Sequence, residues 1–262
     1  MKAIILAAGK GTRLKKYTAN LPKGMLDFAG KSIIERQIEA YRRNGIDDII
    51  VVCGYAAEKI PYEGIKYYIN ADFDNTNMVE SFLTAEEEFN EDIIISYSDI
   101  LFSDEMLKGM INEKADFVVG VDKAWKDYWY MRYGRVDFDT ESLRIDKDGN
   151  ITSLGLPDVS PQEIDARYIG ILRFSQVGLH VILDIMNRDY LNYTDKPWKQ
   201  SGKNIRQAYM TDLLQAIVEE GNHVKAKGFD HGWIEFDTNE DYERACEWLS
   251  NGSIINLIKL EN

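Results

Sequence analysis

Four short apolar runs constrain this chain more than any other feature: AIIL at 3–6, IIVVC at 49–53, IIISY at 93–97 and FVVGV at 117–121. A strand wetted on one face alternates apolar and polar residues. A run apolar at nearly every position needs cover on both faces, as strands of parallel sheet have. Between the first two runs, Ser32-Ile-Ile-Glu35 has the spacing of a capping box. The helix it opens carries Ile34, Ile38 and Tyr41 on one face and stops at Gly45. A strand at 66–69 and a helix at 78–88 precede the third run. Strands alternating with such helices make βαβ units with right-handed crossovers. The expected fold is α/β: one Rossmann-like domain over 1–262, a mostly parallel twisted sheet flanked by helices.

The alternation breaks near residue 122. Residues 122–166 are rich in Trp, Tyr and charge, with Lys147-Asp148-Gly149-Asn150 as a turn between 143–146 and 151–154. That predicts a small β insertion. Regularity returns with a strand at 168–174 and a helix at 177–188, then a loop over 196–207. A helix from Met210, strands at 223–226 and 233–236, and a helix from Asn239 complete the pattern. The apolar tail at 253–260 has two uses open to it: covering a groove of its own chain, or meeting a partner subunit in a homodimer.

A net charge of −13 excludes nucleic acid as the natural partner, because its phosphates meet a repulsive field. Cys53 and Cys246 are far apart in apolar surroundings, which fits a reducing compartment. The apolar opening is too short for a signal peptide and no stretch is long enough for a membrane span. The expectation is a cytoplasmic protein without membrane contact.

Against this acidity, Lys10, Arg13, Lys15, Lys16 and Lys23 crowd one stretch, around Gly9 and Gly11. The loop begins like a dinucleotide fingerprint, but Leu14 stands where the third glycine belongs, and Gly11 follows Gly-Lys where a Walker loop needs Ser or Thr. Backbone N–H groups that glycine lets approach closely, with cations beside them, suit a polyphosphate at the carboxyl end of the first strand.

Leu6-Ala-Ala-Gly-Lys-Gly-Thr-Arg-Leu14 and then Pro22-Lys23 resemble the signature of the nucleotidyltransferases that couple nucleotides to sugar phosphates and related phosphates. The resemblance spans essentially the whole chain. It implies that Ser98-Asp99 stands at the metal-binding aspartate, that Trp233-Ile-Glu-Phe-Asp237 supplies further carboxylates, and that Thr211-Asp212 lines the acceptor side. Asn75-Thr-Asn-Met-Val-Glu-Ser81 is similar to the small cytidylyltransferases acting on phosphocholine, aminoethylphosphonate or phosphoglutamine. Gly24 departs from the Cys or Ala that several members carry after Pro-Lys, with little consequence expected.

The implied reaction is attack by a phosphate or phosphonate oxygen on the α-phosphorus of CTP, releasing pyrophosphate. Its nucleophile is ionised near neutral pH, so the chemistry asks for in-line positioning and charge neutralisation rather than a general base. Arg13, Lys23, Asp99 and Asp237 are the candidate catalytic groups, with Mg²⁺ on Asp99, Glu235 and Asp237. Arg13 suits the departing phosphates, and Lys23 the α-phosphate or acceptor. The nucleotide would meet Leu6, Ala7, Ala8, Gly9, Gly11, Thr12 and Ser98, with Asn77, Glu80 and Ser81 at the base. Taken alone, Asp99 reads as a turn or cap residue, and Glu235 and Asp237 as solvated strand residues. Their joint placement with the loop favours the metal.

On the acceptor side, Tyr128, Trp129, Arg132, Tyr168 and Trp233 join Thr211 and Asp212. The rings could box a quaternary ammonium, although ordinary packing accounts for most of them. Arg132 suits a phosphate or carboxylate equally. Choline and amino-acid acceptors both stay open, and a sugar-1-phosphate uridylyl- or thymidylyltransferase is the competing reading.

Overall fold

The computed structural model describes residues 1–261. The first strands are β1 (Lys2–Ala7), β2 (Asp27–Phe28), β3 (Lys31–Ser32), β4 (Ile49–Cys53), β5 (Lys66–Ile69) and β6 (Ile93–Tyr97). They are followed by β7 (Ile100–Phe102), β8 (Phe117–Asp122), β9 (Glu141–Ile145), β10 (Asn150–Pro157), β11 (Arg167–Phe174), β12 (Val224–Phe229) and β13 (Trp233–Glu235). The helices are α1 (Lys15–Thr18), α2 (Ile33–Arg43), α3 (Met78–Leu83) and α4 (Asp104–Asn112). After them come α5 (Trp125–Tyr133), α6 (Gln176–Asp189), α7 (Met210–Glu219) and α8 (Asn239–Ser250).

Nine strands form one sheet in the order β5-β4-β1-β6-β11-β8-β12-β10-β9. β5, β4, β1 and β6 are parallel neighbours, as are β8 and β12, whereas β11 and β10 run against their partners. The mixed α/β fold with a mostly parallel sheet is the one expected.

Every residue of β1 is buried. Ala3, Ile5 and Ala7 join one apolar cluster, with side chains of α2, α4 and α5. Ile4 and Leu6 join a second, with α3, α6 and α7. The unbroken apolar run thus serves two cores, each buried Ile contributing about 1.5–3 kcal/mol. Ser32 Oγ accepts from the Glu35 N–H at 3.0 Å and starts α2, and Gly45, at φ 79°, follows its end.

Two expectations need correction. The 122–166 insertion is not purely β, because it contains α5, and its β9–β10 hairpin extends the main sheet through β12. The helix over 78–88 stops at Leu83, and a short 3₁₀ turn covers Glu86–Glu88. The strand expected at 233–236 spans Trp233–Glu235 and pairs with β7 outside the main sheet. The apolar tail covers its own chain: Ile254, Leu257 and Ile258 are buried in the α2 core, and the Gly232 N–H donates to the Leu257 carbonyl at 2.7 Å.

Candidate active site

A cleft of about 270 Å³ opens at the carboxyl ends of β1 and β6. In open α/β sheets this edge is where ligands sit. The Ser98 N–H donates to the Leu6 carbonyl at 3.1 Å, which ties the loops after the two strands together. Leu6, Ala8, Gly9, Gly11, Thr12 and Arg13 form one wall. Gly11 is in the left-handed region at φ 62°, and a Cβ there would lie 3.0 Å from Lys23 Cβ. Glycine is therefore needed twice over, for the turn and for the approach of Lys23. Ala7 does not reach the cleft, since strand alternation turns its side chain into the core beneath.

The floor holds the charges. Lys23 Nζ donates to Asp99 Oδ2 at 2.6 Å and to Asp237 Oδ1 at 2.8 Å. Arg13 Nη2 meets the other Asp237 oxygen at 2.5 Å, while most of its side chain stays exposed. Burial works against the Lys23 ammonium, but Asp99 and Asp237 outweigh it and hold its pKa above the ordinary lysine value. Four residues distant in sequence thus meet as two cations and two carboxylates.

Gly24 brings Lys23 close to the sheet. A Cβ at Gly24 would lie 2.6 Å from Ile34 Cγ1 and 2.8 Å from Ser98 Cβ. The packing around it gives Gly24 a local reason: a side chain there would require Ile34 and Ser98 to shift.

The opposite wall is Phe73, Thr76, Asn77, Met78, Ser81 and Tyr97. Asn77 caps α3 through its Oδ1, and Ser81 Oγ accepts from Asn70 Nδ2 at 3.0 Å. Phe73, Thr76, Met78 and Tyr97 were not among the sequence candidates. Thr76 and Met78 fall inside the Asn75-to-Ser81 motif and could have been found there. Phe73 depends on a long-range fit, because Gly54 leaves room for its ring beside the Ala8 carbonyl.

Several expected residues are not in the cleft. Glu80 lies on the far side of α3, where its Oε1 accepts from Tyr190 Oη at 3.0 Å. Glu235 faces Arg132 rather than the other two carboxylates. Among the described residues no three His, Cys, Asp or Glu side chains come together as a metal set, so the expected triad reduces to Asp99 and Asp237. Tyr128, Trp129 and Trp233 are core residues stacked edge to face, with Trp233 Nε1 donating to Asp122 at 2.9 Å. They form no box. Arg132, 1 % exposed, is consumed by Asp241 and Glu235. Asp212 caps α7, accepting from the Tyr209 N–H at 2.9 Å and Ser201 Oγ at 2.7 Å. Thr211 is buried and donates to Glu141 at 3.2 Å. Tyr168 stands directly behind the cleft, donating to the Tyr97 hydroxyl at 2.9 Å.

The fold and this cleft define a nucleotide-handling transferase. Residues 3–143 match the MobA-like NTP transferase domain, and the chain belongs to that family. It is 36 % identical to the CTP:phosphoglutamine cytidylyltransferase of Campylobacter jejuni, over 94 % of this chain and all of the relative. The choline-phosphate cytidylyltransferase of Haemophilus influenzae is also 36 % identical, over 95 % of this chain and 98 % of its own. The solved CTP:phosphocholine cytidylyltransferase from Streptococcus pneumoniae shares the fold, with a TM-score of 0.73 and 22 % identity over 95 % of this chain and 98 % of that one. No helix among the described residues is long and apolar enough to cross a membrane.

Proposed function

We propose that this chain is a Mg²⁺-dependent cytidylyltransferase that moves CMP from CTP to the phosphate or phosphonate of a small acceptor. The observation that carries the reading is the Lys23 ammonium between Asp99 and Asp237, on the floor of a cleft walled by the glycine loop. The similarity to two cytidylyltransferases over nearly their whole length supports the choice of nucleotide.

An acceptor oxygen attacks the α-phosphorus, and the bond from that phosphorus to the bridging oxygen breaks. Pyrophosphate leaves with the electron pair. The nucleophile is already anionic, so no side chain need remove a proton, and catalysis rests on alignment and neutralised charge. Exposed Arg13 suits the departing β- and γ-phosphates, which its fork can hold in pairs. Lys23, nearly buried on the cleft floor, suits the α-phosphate or the acceptor phosphate as a compact positive charge. Asn77 and Ser81 line the base end.

The donor set fits Mg²⁺. Asp99 and Asp237 are hard oxygen ligands that already converge on one cationic nitrogen. They would hold the ion, which when bound neutralises phosphoryl charge.

Pyrophosphate release tests this, with CTP, UTP, dTTP and ATP each offered phosphorylated amino acids, phosphocholine, aminoethylphosphonate and glucose 1-phosphate. Cytosine presents an amino donor where uracil presents a carbonyl. Ser81 Oγ, which accepts once and donates once, keeps a lone pair for such a donor. The expected result is CTP favoured over UTP by roughly tenfold or more in kcat/KM. Preference for UTP or dTTP with glucose 1-phosphate replaces this reading with the sugar-nucleotide one.

A further inference from the structure

Arg167 opens β11, and its side chain is only 13 % exposed. The guanidinium lies 4.5 Å from the Trp129 ring centre, and the nearest ion-pair oxygen, on Asp139, is 3.9 Å away. Its Nη1 is buried with no hydrogen-bond partner among the described residues. Glu141, the first residue of β9, is the main opposite charge acting on it. Yet Glu141 accepts from Thr211 Oγ1 at 3.2 Å rather than from Arg167.

Buried opposite charges ordinarily close into contact, since neither is otherwise compensated for lost water. Here burial pulls the Arg167 guanidinium below its ordinary value and pushes the Glu141 carboxyl above its own. A buried N–H left unpaired is a donor that a ligand can satisfy.

Arg167 and Glu141 do not line the cleft itself but lie beyond its Tyr97–Asp99 side. Ile171 is opposite Ser96, and Gly170 lies against the Tyr97 ring. Arg167 and Tyr168 therefore run past the end of β6, where Ser98 and Asp99 begin. The charges of Glu141 and Asp99 both act on Tyr168.

We propose that Arg167 and Glu141 are a specificity pair for the acceptor, Arg167 taking a carboxylate and Glu141 an ammonium. The acceptor class is then a phosphorylated amino acid. Phosphocholine, with a quaternary ammonium and no carboxylate, leaves the guanidinium unpaired. This deepens the cytidylyltransferase reading and rests on it.

The test has two arms. In the first, kcat/KM with CTP is measured for phosphoserine and for glutamine phosphorylated on its side-chain amide, against phosphoethanolamine and phosphocholine. A phosphorylated amino acid should exceed the acceptors lacking a carboxylate by about tenfold or more. Arg167→Met should erase most of that ratio while the KM for CTP stays near wild type, and Arg167→Lys should restore part of it. In the second arm, calorimetry measures binding of the same acceptors to the Mg²⁺ complex with a non-hydrolysable CTP analogue. Because Arg167 packs on Trp129, the isosteric Glu141→Gln serves as the variant least prone to misfold, and it should weaken binding of the phosphorylated amino acids and of phosphoethanolamine, the acceptors that carry a primary ammonium. Phosphocholine as the best acceptor, or unchanged ratios in both variants, overturns the pair while leaving cytidylyl transfer standing. Acceptor binding with no pyrophosphate release from CTP overturns the enzymatic reading instead. No binding of any phosphorylated amino acid overturns the pair.

Discussion

Arg132 and Asp241 face each other through two parallel hydrogen bonds of 2.7 Å, from Nε to Oδ1 and from Nη2 to Oδ2. Asp241 Oδ2 also accepts from the Thr238 N–H at 2.8 Å and the Asp237 N–H at 3.2 Å. Arg132 therefore acts on the cleft from beneath, by holding the carboxylate that fixes the backbone of Asp237. Arg132→Met should leave Asp241 charged and unpaired in the core. Breaking such a pair costs about 3–5 kcal/mol, which a urea titration would register as a lower midpoint. An unchanged midpoint would show that the pair contributes nothing to stability.

Glu88 predicts an acid sensitivity. It lies against Lys2 at 2.8 Å, Lys66 at 2.5 Å and the Tyr68 hydroxyl at 2.6 Å, with its side chain 5 % exposed. Burial favours its neutral form, but these donors prevail and bring its pKa down to about 2. A carboxyl lowered by folding contributes stability above its unfolded pKa and loses it as pH falls through the folded value. The window runs from about 4.3 down to about 2, and the contribution is about 3 kcal/mol. Glu88→Gln should lower the Tm at pH 6 and flatten its dependence on pH across that window. Parallel Tm–pH curves for the two proteins would contradict the assignment.

Gly24→Ala should also lower the Tm, because its methyl would overlap Ile34 and Ser98. Overpacking of this kind costs about 1–3 kcal/mol. The strain falls between Lys23 and Asp99, so kcat should fall with stability. Gly9→Ala is the control: a Cβ at Gly9 meets nothing within 4 Å. Equal Tm losses in the two variants would remove packing as the cause.

What was legible in the sequence followed from local pattern. The apolar runs that became β1, β4, β6 and β8 need cover on both faces wherever they fall. The glycine loop with Pro22-Lys23 carried a long motif, and Arg13, Lys23, Asp99 and Asp237 do meet. The misjudged residues were decided by helix phase and distant partners. Glu80 lies in the same motif as Asn77 and Ser81, but its position around α3 turns it to Tyr190. Glu235 is two residues from Asp237, yet Arg132, more than a hundred residues away in the chain, draws it off. Trp129 and Arg132 stood among the acceptor candidates, although ordinary packing was the expected role of most of these rings, and their burial depends on α8 and β13 closing over α5. Composition cannot tell a wet aromatic cluster from a dry one.

Lys23 carries the sharpest prediction about chemistry. It is the common partner of Asp99 and Asp237, and without it two carboxylates would face each other across a partly buried cleft. Lys23→Ala should reduce kcat by about a hundredfold or more, the scale on which preorganised charge acts at a developing phosphoryl transition state. Stability should respond to the divalent ion. In excess EDTA the variant should melt below wild type through like-charge repulsion, and millimolar Mg²⁺ should restore more of its Tm than of wild type's, because the ammonium no longer competes for the same oxygens. Wild type should lose its turnover in EDTA and recover it with Mg²⁺. Full wild-type turnover in EDTA would remove the metal from Asp99 and Asp237, and near-normal turnover by the variant would remove Lys23 from the reaction.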